Sequence, residues 1–279
     1  MRWPATASVF GRTQDLMAVA LLAGLSGAAA ASACDTPALG TLIGVERSRW
    51  EELDAQGKSL VRERGTLKFA GLQASGRCGA LDWTAQWTRS QGERNYDGMT
   101  TTQAPLQTQS QLRIQALILA AWLPVTQGWA VGAQLGHRQI QRDIASKGIV
   151  LGYPERFDYL QAALGVRHQA ALADGLRLTS SGWIGAGPGG RVRVDLPRAD
   201  PVTLPLGRNR LLALSLQLDG GETVQFGWSW QAGVGYRREQ ISAGTPEVIG
   251  RNGVTVGAAL QPRVVQQHLS TTAMLTYHF

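Results

Sequence analysis

The sequence predicts an all-β fold, a transmembrane antiparallel up-and-down β-barrel of about ten strands, with twelve as the alternative count. Two features indicate this fold: apolar and polar residues alternate strictly in many segments, and the connections between those segments alternate in length. A third is the last segment, Leu269 to Phe279, which alternates and ends the chain on an aromatic. Strands that face lipid on one side and a lumen on the other have this pattern.

The alternation is clearest from Val224 to Tyr236, where seven apolar residues interleave with six small or polar ones. A period of two residues is that of a strand, because alternate residues of a helix do not lie on one face. The same pattern recurs at 81–88, 129–136, 160–167 and 212–218. A soluble β-sandwich would also alternate, but here the apolar face carries almost no charge and Trp and Tyr collect near strand ends, which favours the barrel.

The connections alternate between short turns and longer loops, which puts both termini on the short-turn side, as in outer-membrane barrels. The predicted short turns are 75–79, 124–128, 173–175 and 219–222, and the longer connections lie near 54–58, 95–105, 145–155, 196–205 and 243–261.

Some strands are longer than a membrane requires. The seventh can extend from Leu176 to Val194, about twenty residues, where ~9–11 suffice to cross. Its partner can begin near Val202. We expect the excess to form a β-sheet rim outside the cell, and residues 248–260 to be the place of a further hairpin if the count is twelve.

Residues 1–33 are expected to be a secretory signal peptide. Two arginines precede an apolar stretch from Leu16 to Ala31, and Ala31-Ser32-Ala33 gives an A-x-A cleavage site. A retained N-terminal helix is the competing interpretation. The mature barrel would comprise residues 34–279, located in the cell outer membrane.

The chain has two cysteines, Cys34 and Cys78. In an oxidising periplasm two thiols are normally bridged. Cys34 would begin the mature chain, and Cys78 lies in the first short turn, so a disulfide between them is predicted. A redox or metal pair lacks supporting residues, and we expect neither a metal site nor a cofactor.

The formal net charge is +7. The basic residues are dispersed and no nucleic-acid motif is present, which argues against a nucleic-acid partner. Contact with anionic lipid headgroups, or a basic lumen, is a better explanation for the excess of positive charge. The expected partners are therefore outer-membrane lipid, including lipopolysaccharide, and an extracellular protein or peptide ligand.

Three short stretches resemble the omptins, the ten-stranded outer-membrane aspartate proteases of Gram-negative bacteria. They are Leu39 to Leu42, Ser181-Gly182-Trp183, and the run from Thr271 to Phe279. The resemblance implies a rim groove with an Asp-x-Asp pair on one wall and an Asp-x-His pair on the other.

The chain departs from that catalytic pattern. Asn95-Tyr96-Asp97 occupies the first wall, so Asp97 is the remaining candidate for a catalytic carboxylate. The stretch 184–190, on the opposite wall, contains neither Asp nor His. A general base needs a titratable group, so the omptin chemistry is expected to be absent.

One histidine has a spacing worth testing. His268 and Ser270 are two apart, as in outer-membrane lipid A deacylases, and would share a face of a strand. No carboxylate follows Ser270, so an interfacial or lumenal histidine is the favoured interpretation.

The polar faces of the strands predict a basic, glutamine-rich lumen. Its candidate arginines are Arg113, Arg138, Arg167, Arg177 and Arg237. Such an interior could pass small anions, but ten strands enclose little space, and a lumen filled by these side chains is favoured.

The sequence favours a non-catalytic barrel with omptin-like architecture that has a binding or structural role at the cell surface. The first alternative is a divergent omptin-type endopeptidase that uses Asp97. The second is a small anion-preferring channel.

Overall fold

The computed structural model describes residues 34–99, 104–173, 175–220 and 227–279. The predicted signal peptide, residues 1–33, lies outside the described residues, as does the first part of the alternating segment that begins at Val224. No helix long and apolar enough to cross a membrane occurs in the described part of the chain.

The described residues form fourteen strands. They are β1 (Ala38–Leu53), β2 (Ser59–Cys78), β3 (Leu81–Met99), β4 (Pro105–Thr126), β5 (Trp129–Ile144), β6 (Pro154–Ala173), β7 (Leu176–Gly187), β8 (Gly190–Val194), β9 (Val202–Leu206), β10 (Asn209–Gly220), β11 (Trp228–Ile241), β12 (Glu247–Arg251), β13 (Val254–Ala259) and β14 (Arg263–His278).

Ten of these strands close into a barrel. In order around the ring they are β1 to β7, then β10, β11 and β14, and every neighbouring pair is antiparallel. The ring closes where Ala38 of β1 pairs with His278 of β14. The all-β transmembrane barrel and its count of ten are thus confirmed.

The remaining strands extend the wall on the long-loop side. Strands β7 and β8 both pair with β6, at Ala162↔Ala186 and Tyr159↔Gly190. The long seventh strand is therefore present, with a break at Gly189, whose φ of 113° suits glycine. Strand β9 pairs with β8 and leads into β10, while β12 and β13 form a separate two-stranded sheet outside the barrel.

The half of the barrel nearest the short turns has an apolar outer surface. Its exposed side chains include Leu39, Ile43, Leu72, Leu135, Leu164, Ile184, Leu214, Val234 and Leu275. At the short-turn end, Trp228 contacts Tyr277 with ring centroids 5.0 Å apart, and Tyr277 contacts the terminal Phe279 at 4.9 Å. An apolar band with an aromatic edge is the lipid-facing surface of a transmembrane barrel.

Beyond this band the polarity of the wall inverts. On β1 the outward face changes from exposed Val45 to Arg47 and Arg49, while the inward face carries Trp50, which is 0% exposed. The strands have left the lipid, so water contacts their outer face and the interior becomes an apolar core. This core consists of Trp50, Leu67, Leu112, Ile114, Ile140, Phe157, Tyr159, Val192, Val194, Val202, Leu204, Leu206, Ile241 and Val264.

The inversion corrects the prediction for Arg113. Leu112 and Ile114 point into the core, 1% and 3% exposed, and Arg113 between them is exposed on the outer face. The prediction assumed that the apolar face of every strand contacts lipid, which is wrong for the part of β4 that lies outside the membrane.

The predicted disulfide is confirmed. Cys34 and Cys78 are bonded, and the amide of Asp35 donates to the carbonyl of Arg77 at 2.8 Å. The bridge fixes the start of the described chain beneath the β2–β3 turn, where Gly79 has a φ of 59°.

We expect Trp50→Ala to destabilise the barrel by about 3–5 kcal/mol, the usual cost of truncating a buried tryptophan. Urea unfolding in lipid vesicles, followed by gel mobility without heating, measures the change. Trp230→Ala is the matched control, since Trp230 lies exposed on the lipid-facing surface. An equal loss in both variants would contradict the core assigned to Trp50.

Candidate functional site

A buried ionic cluster lies within the apolar core, centred on Arg142 of β5. One guanidinium nitrogen, Nη1, donates to Glu52 Oε1 at 2.6 Å and to Glu155 Oε2 at 2.7 Å. The Nε atom donates to Glu63 Oε1 at 2.8 Å. Because the three carboxylates come from β1, β2 and β6, Arg142 joins strands around much of the barrel.

Trp50 packs this cluster into the core. The guanidinium groups of Arg142 and Arg94 lie 5.1 and 5.7 Å from the centre of its ring, and Phe157 meets the ring edge-on at 5.1 Å. The indole nitrogen donates to Glu52 Oε1 at 3.0 Å. A desolvated cation over a tryptophan face is attracted by roughly 2 kcal/mol, so the charges and the apolar core stabilise one another.

The cluster holds three carboxylates against two arginines. Arg94 lies 3.6 Å from Glu63 and, although burial lowers its pKa to about 10, it stays charged at neutral pH. Arg94 and Arg142 together balance Glu52 and Glu63. The third carboxylate, Glu155, has its pKa raised to about 7 by burial, against the opposing effect of Arg142. Near neutral pH Glu155 therefore exists in both protonation states.

A second ionic group lies where the apolar core meets the polar interior on the short-turn side of the barrel. Glu239 accepts from the Tyr159 hydroxyl at 2.8 Å, from Arg237 Nε at 2.7 Å and from Arg138 Nη1 at 3.3 Å. Burial raises the pKa of Glu239, but the two arginines outweigh it and hold the value at about 2. Arg237 also donates to Gln161 at 2.7 Å. The interior is filled at this level.

His268 belongs to this interior and does not pair with Ser270. Its Nδ1 lies 3.1 Å from Ser48 Oγ and 3.4 Å from Glu46 Oε2, whereas the Ser270 hydroxyl donates to the carbonyl of Gly235. Both His268 and Ser48 are 3% exposed. A serine nucleophile needs access to substrate, and Ser48, the serine that His268 contacts, is enclosed.

The structure places four of the five predicted lumen arginines inside the barrel. Arg138 and Arg237 hold Glu239; Arg167 pairs with Asp82 at 2.6 Å, and Arg177 lies 3.8 Å from Asp219. Arg113 is outside.

Sequence reasoning missed Arg94, Arg142 and the three glutamates. A signal for them existed. Glu52 and Arg142 share an inward face with apolar residues such as Trp50 and Ile140, at positions of long strands beyond the membrane-spanning length. A charge within an apolar face indicates a buried partner.

Asp97 lies at the far end of β3 on the exposed outer face. Its register neighbours are Arg62 and Gln107, and neither is a carboxylate or a histidine. The interior positions at this height belong to Tyr96 and Gly98. Asp97 therefore does not face a groove inside the rim.

A basic row lies on the outer wall just above the apolar band. Arg64, Arg49, Gln267 and Arg238 occupy one register row across four adjacent strands, β2, β1, β14 and β11. Neighbouring strands lie about 4.8 Å apart. Arg49 makes a 3.4 Å contact with Glu51, while Arg64 and Arg238 have no ion-pair partner within the described ranges.

A cleft of about 430 Å³ opens along this basic row. Its lining includes Arg47, Arg49 and Arg64 together with the outward side chains of Tyr236 and Leu269. Leu269 begins the apolar band. The cleft thus joins cationic groups to the lipid-facing surface, which suits an amphipathic anion.

Comparison with known proteins gives structural similarity at low identity. The outer membrane protease OmpT from Escherichia coli matches with a TM-score of 0.49 and 13% identity over 88% of this chain and 96% of that one. The translocator domain of autotransporter NalP from Neisseria meningitidis matches at 0.42 and 13% over 95% and 96%. The Pseudomonas putida toluene transporter TodX matches at 0.34 and 9% over 90% of each chain. No family model and no curated sequence matches.

We expect the barrel to lose stability as pH rises from 5 to 8, because Glu155 binds its proton more tightly folded than unfolded. The favourable contribution is complete below the ordinary glutamate pKa and is lost as pH rises through about 7. In Glu155→Gln, whose side chain cannot ionise, the decrease in the free energy of unfolding between pH 5 and 8 should be smaller by roughly 2 kcal/mol.

Urea midpoints at several pH values test this expectation. The control is Glu51→Gln on the exposed outer face, which should leave the slope between pH 5 and 8 unchanged. A Glu155→Gln profile as steep as that of the parent would show that another group titrates.

Proposed function

We propose that this protein is a barrel of the cell outer membrane with an omptin-like architecture, without catalysis, which serves as a surface scaffold and binds acidic lipid of the outer leaflet. The observation that carries this proposal is the basic row of Arg64, Arg49 and Arg238 directly above the apolar band.

Lipid phosphate suits this row for electrostatic and geometric reasons. A guanidinium binds two phosphate oxygens at once, and the row offers three guanidiniums on four adjacent strands. Each basic residue near an anionic membrane surface contributes about 1 kcal/mol. The acyl chains of such a lipid would lie on the apolar band that begins at Leu269. A phosphorylated lipid of the lipopolysaccharide class combines these two parts.

The absence of catalysis is supported by where the candidate groups lie. Asp97 faces outward, and its two immediate register neighbours, Arg62 and Gln107, are neither carboxylates nor histidines. Ser48 and His268 are enclosed in the core. These placements disfavour the endopeptidase alternative, and the filled cross-section around Arg142 and Glu239 disfavours an anion channel.

An extracellular protein or peptide ligand would meet the hairpin of β12 and β13. This hairpin is separate from the barrel sheet, and Val248, Val254 and Val256 on it are exposed. Exposed apolar residues on a projecting hairpin favour a binding role over a purely structural one.

Lipid binding tests the proposal. We expect the triple variant Arg49→Gln, Arg64→Gln, Arg238→Gln to bind diphosphorylated lipid A about 100-fold more weakly, because three contacts of ~1 kcal/mol are lost. Binding is measured by native mass spectrometry or by calorimetry in detergent, at low and high salt. The difference should shrink at high salt, since the row is exposed.

The control triple variant, Arg113→Gln, Arg156→Gln, Arg210→Gln, removes the same charge from exposed arginines on separate strands. It should retain binding, and dephosphorylated lipid A should bind the parent weakly. Equal losses in the two triple variants would reduce the effect to net charge and refute the row as a site.

A further inference from the structure

The lower half of the barrel interior is an unfilled polar chamber. It has a volume of about 710 Å³ and reaches the short-turn end, where Ala173, Gly175 and His278 line it. One wall consists of short side chains, including Ser215, Gly233 and Thr272. Long side chains were expected to fill this space, and in the membrane-spanning part the inward residues are too small to do so. The volume lies in the range of small-molecule sites.

Four glutamines line the chamber with free side-chain amides. They are Gln73, Gln86, Gln134 and Gln217, and none makes a side-chain hydrogen bond within the described residues. Each primary amide offers two donors and an acceptor. Gln231, by contrast, is held by Asp219. The chamber therefore presents several convergent neutral groups that a ligand can hydrogen-bond.

The charged groups of the chamber are bound to one another in pairs or triads. Arg167 donates to Asp82 at 2.6 Å, and Asp82 also accepts from Arg77 at 2.8 Å. Arg177 lies 3.8 Å from Asp219, and the carboxylate of Asp219 accepts from Thr179 at 2.7 Å. Arg237 is likewise bound to Glu239. Asp82 is shared by two arginines, so positive charge is in excess, but each of these arginines and carboxylates already has a partner. An ionic ligand would compete with an existing pair, and a neutral ligand avoids that competition.

An aromatic wall faces the small residues. Trp122, Gly132, Gly165 and Trp183 occupy one register row across β4, β5, β6 and β7. The two rings pack with centroids 4.3 Å apart. A Cβ at Gly132 or Gly165 would lie 2.5 or 2.4 Å from the tryptophan ring beside it, so glycine at both positions lets the rings lie against the wall.

The two tryptophans differ in access to the chamber. Trp122 is 6% exposed, covered by Trp183 and by the Arg167 guanidinium 5.0 Å above its ring. Trp183 is partly exposed and lines the chamber. One aromatic surface therefore remains available to a ligand, with free amides on neighbouring strands.

We propose that this chamber binds a neutral saccharide that enters from the short-turn end. The C–H face of a sugar ring packs on an aromatic face, and its hydroxyls both donate and accept, which matches primary amides. A charged ligand would have to compete with an existing ion pair, and a wholly apolar one would leave the amides unpaired in a confined space.

Calorimetry on the refolded full-length mature chain in detergent tests the proposal, with maltotriose and N,N′-diacetylchitobiose as probes. We expect at least one of them to bind with Kd ~1 mM or tighter. Trp183→Leu should weaken that binding at least tenfold, as should the double variant Gln86→Leu, Gln134→Leu. Trp129→Leu, on the lipid-facing surface and outside the chamber lining, should leave it unchanged.

The double glutamine variant keeps the test decisive if Trp183→Leu fails to fold, because these amides make no bonds within the barrel. Absence of binding by both sugars, equal weakening in Trp129→Leu, or tighter binding of glucose 6-phosphate would each overturn the proposal. Lipid binding by the basic row is a separate measurement, so failure of one leaves the other standing.

Discussion

Several strands of this barrel are about twice as long as a bilayer requires, and the rest of the structure follows from that. A tilted strand crosses with ~9–11 residues, whereas β2 and β6 have 20 and β4 has 22. Between β2, β3 and β4 the hydrogen-bonded ladder continues from lipid into water without a register shift. Each face of the sheet therefore meets two environments, and the residues on it must change character at the boundary.

Inside the barrel this change divides the molecule into two parts. Outside the membrane the interior can be apolar, and it closes around Trp50 with Arg142 and three glutamates at its centre. Within the membrane the outer face takes the apolar residues, and the interior keeps amides, hydroxyls and compensated ion pairs around a chamber. The buried cluster is costly to desolvate, which favours a role in specifying how ten strands close over one in adding net stability.

On the outside, the same boundary gathers cations. Arg47, Arg49 and Lys68 are outward residues at the first positions beyond the apolar band on β1 and β2. Side chains there reach the headgroup region of the outer leaflet, where acidic groups concentrate. The basic row places three guanidiniums at four consecutive register positions on β2, β1, β14 and β11.

The sequence predicted much of the fold because alternation and connection length are local signals. The ten strands and the disulfide could be derived without tertiary information, whereas the predicted turns 173–175 and 219–222 lie partly outside the described residues. The interior of the part of the barrel outside the membrane could not be derived. Leu112, Arg113 and Ile114 alternate in the same way as residues of a membrane-spanning segment, although here the apolar residues face inward. The point on β4 at which the strand leaves the membrane is visible only from its register with the neighbouring strands. The contacts of Arg142 with Glu52, Glu63 and Glu155 link strands up to 90 residues apart in sequence, and no local pattern encodes such contacts.

Among the candidate sites, the structure places Arg138, Arg167, Arg177 and Arg237 inside the barrel, where each lies on the polar face of a membrane-spanning strand or just beyond it. Asp82, Asp219 and Glu239 are distant in sequence from Arg167, Arg177 and Arg138, so these ion pairs emerged only in the folded barrel, whereas Glu239 lies two residues from Arg237. The Trp122–Trp183 contact likewise depends on the register of four strands and on two glycines between the rings.

Ion conductance tests the sealed interior most directly. The purified barrel, shown to be folded by its heat-modifiable gel mobility, is inserted into planar lipid bilayers and the current is recorded in potassium chloride. The core around Trp50, Arg142 and Glu239 predicts no steady single-channel current. An anion-selective current that is reduced by Arg167→Gln would contradict the seal and show that the chamber continues through the upper barrel.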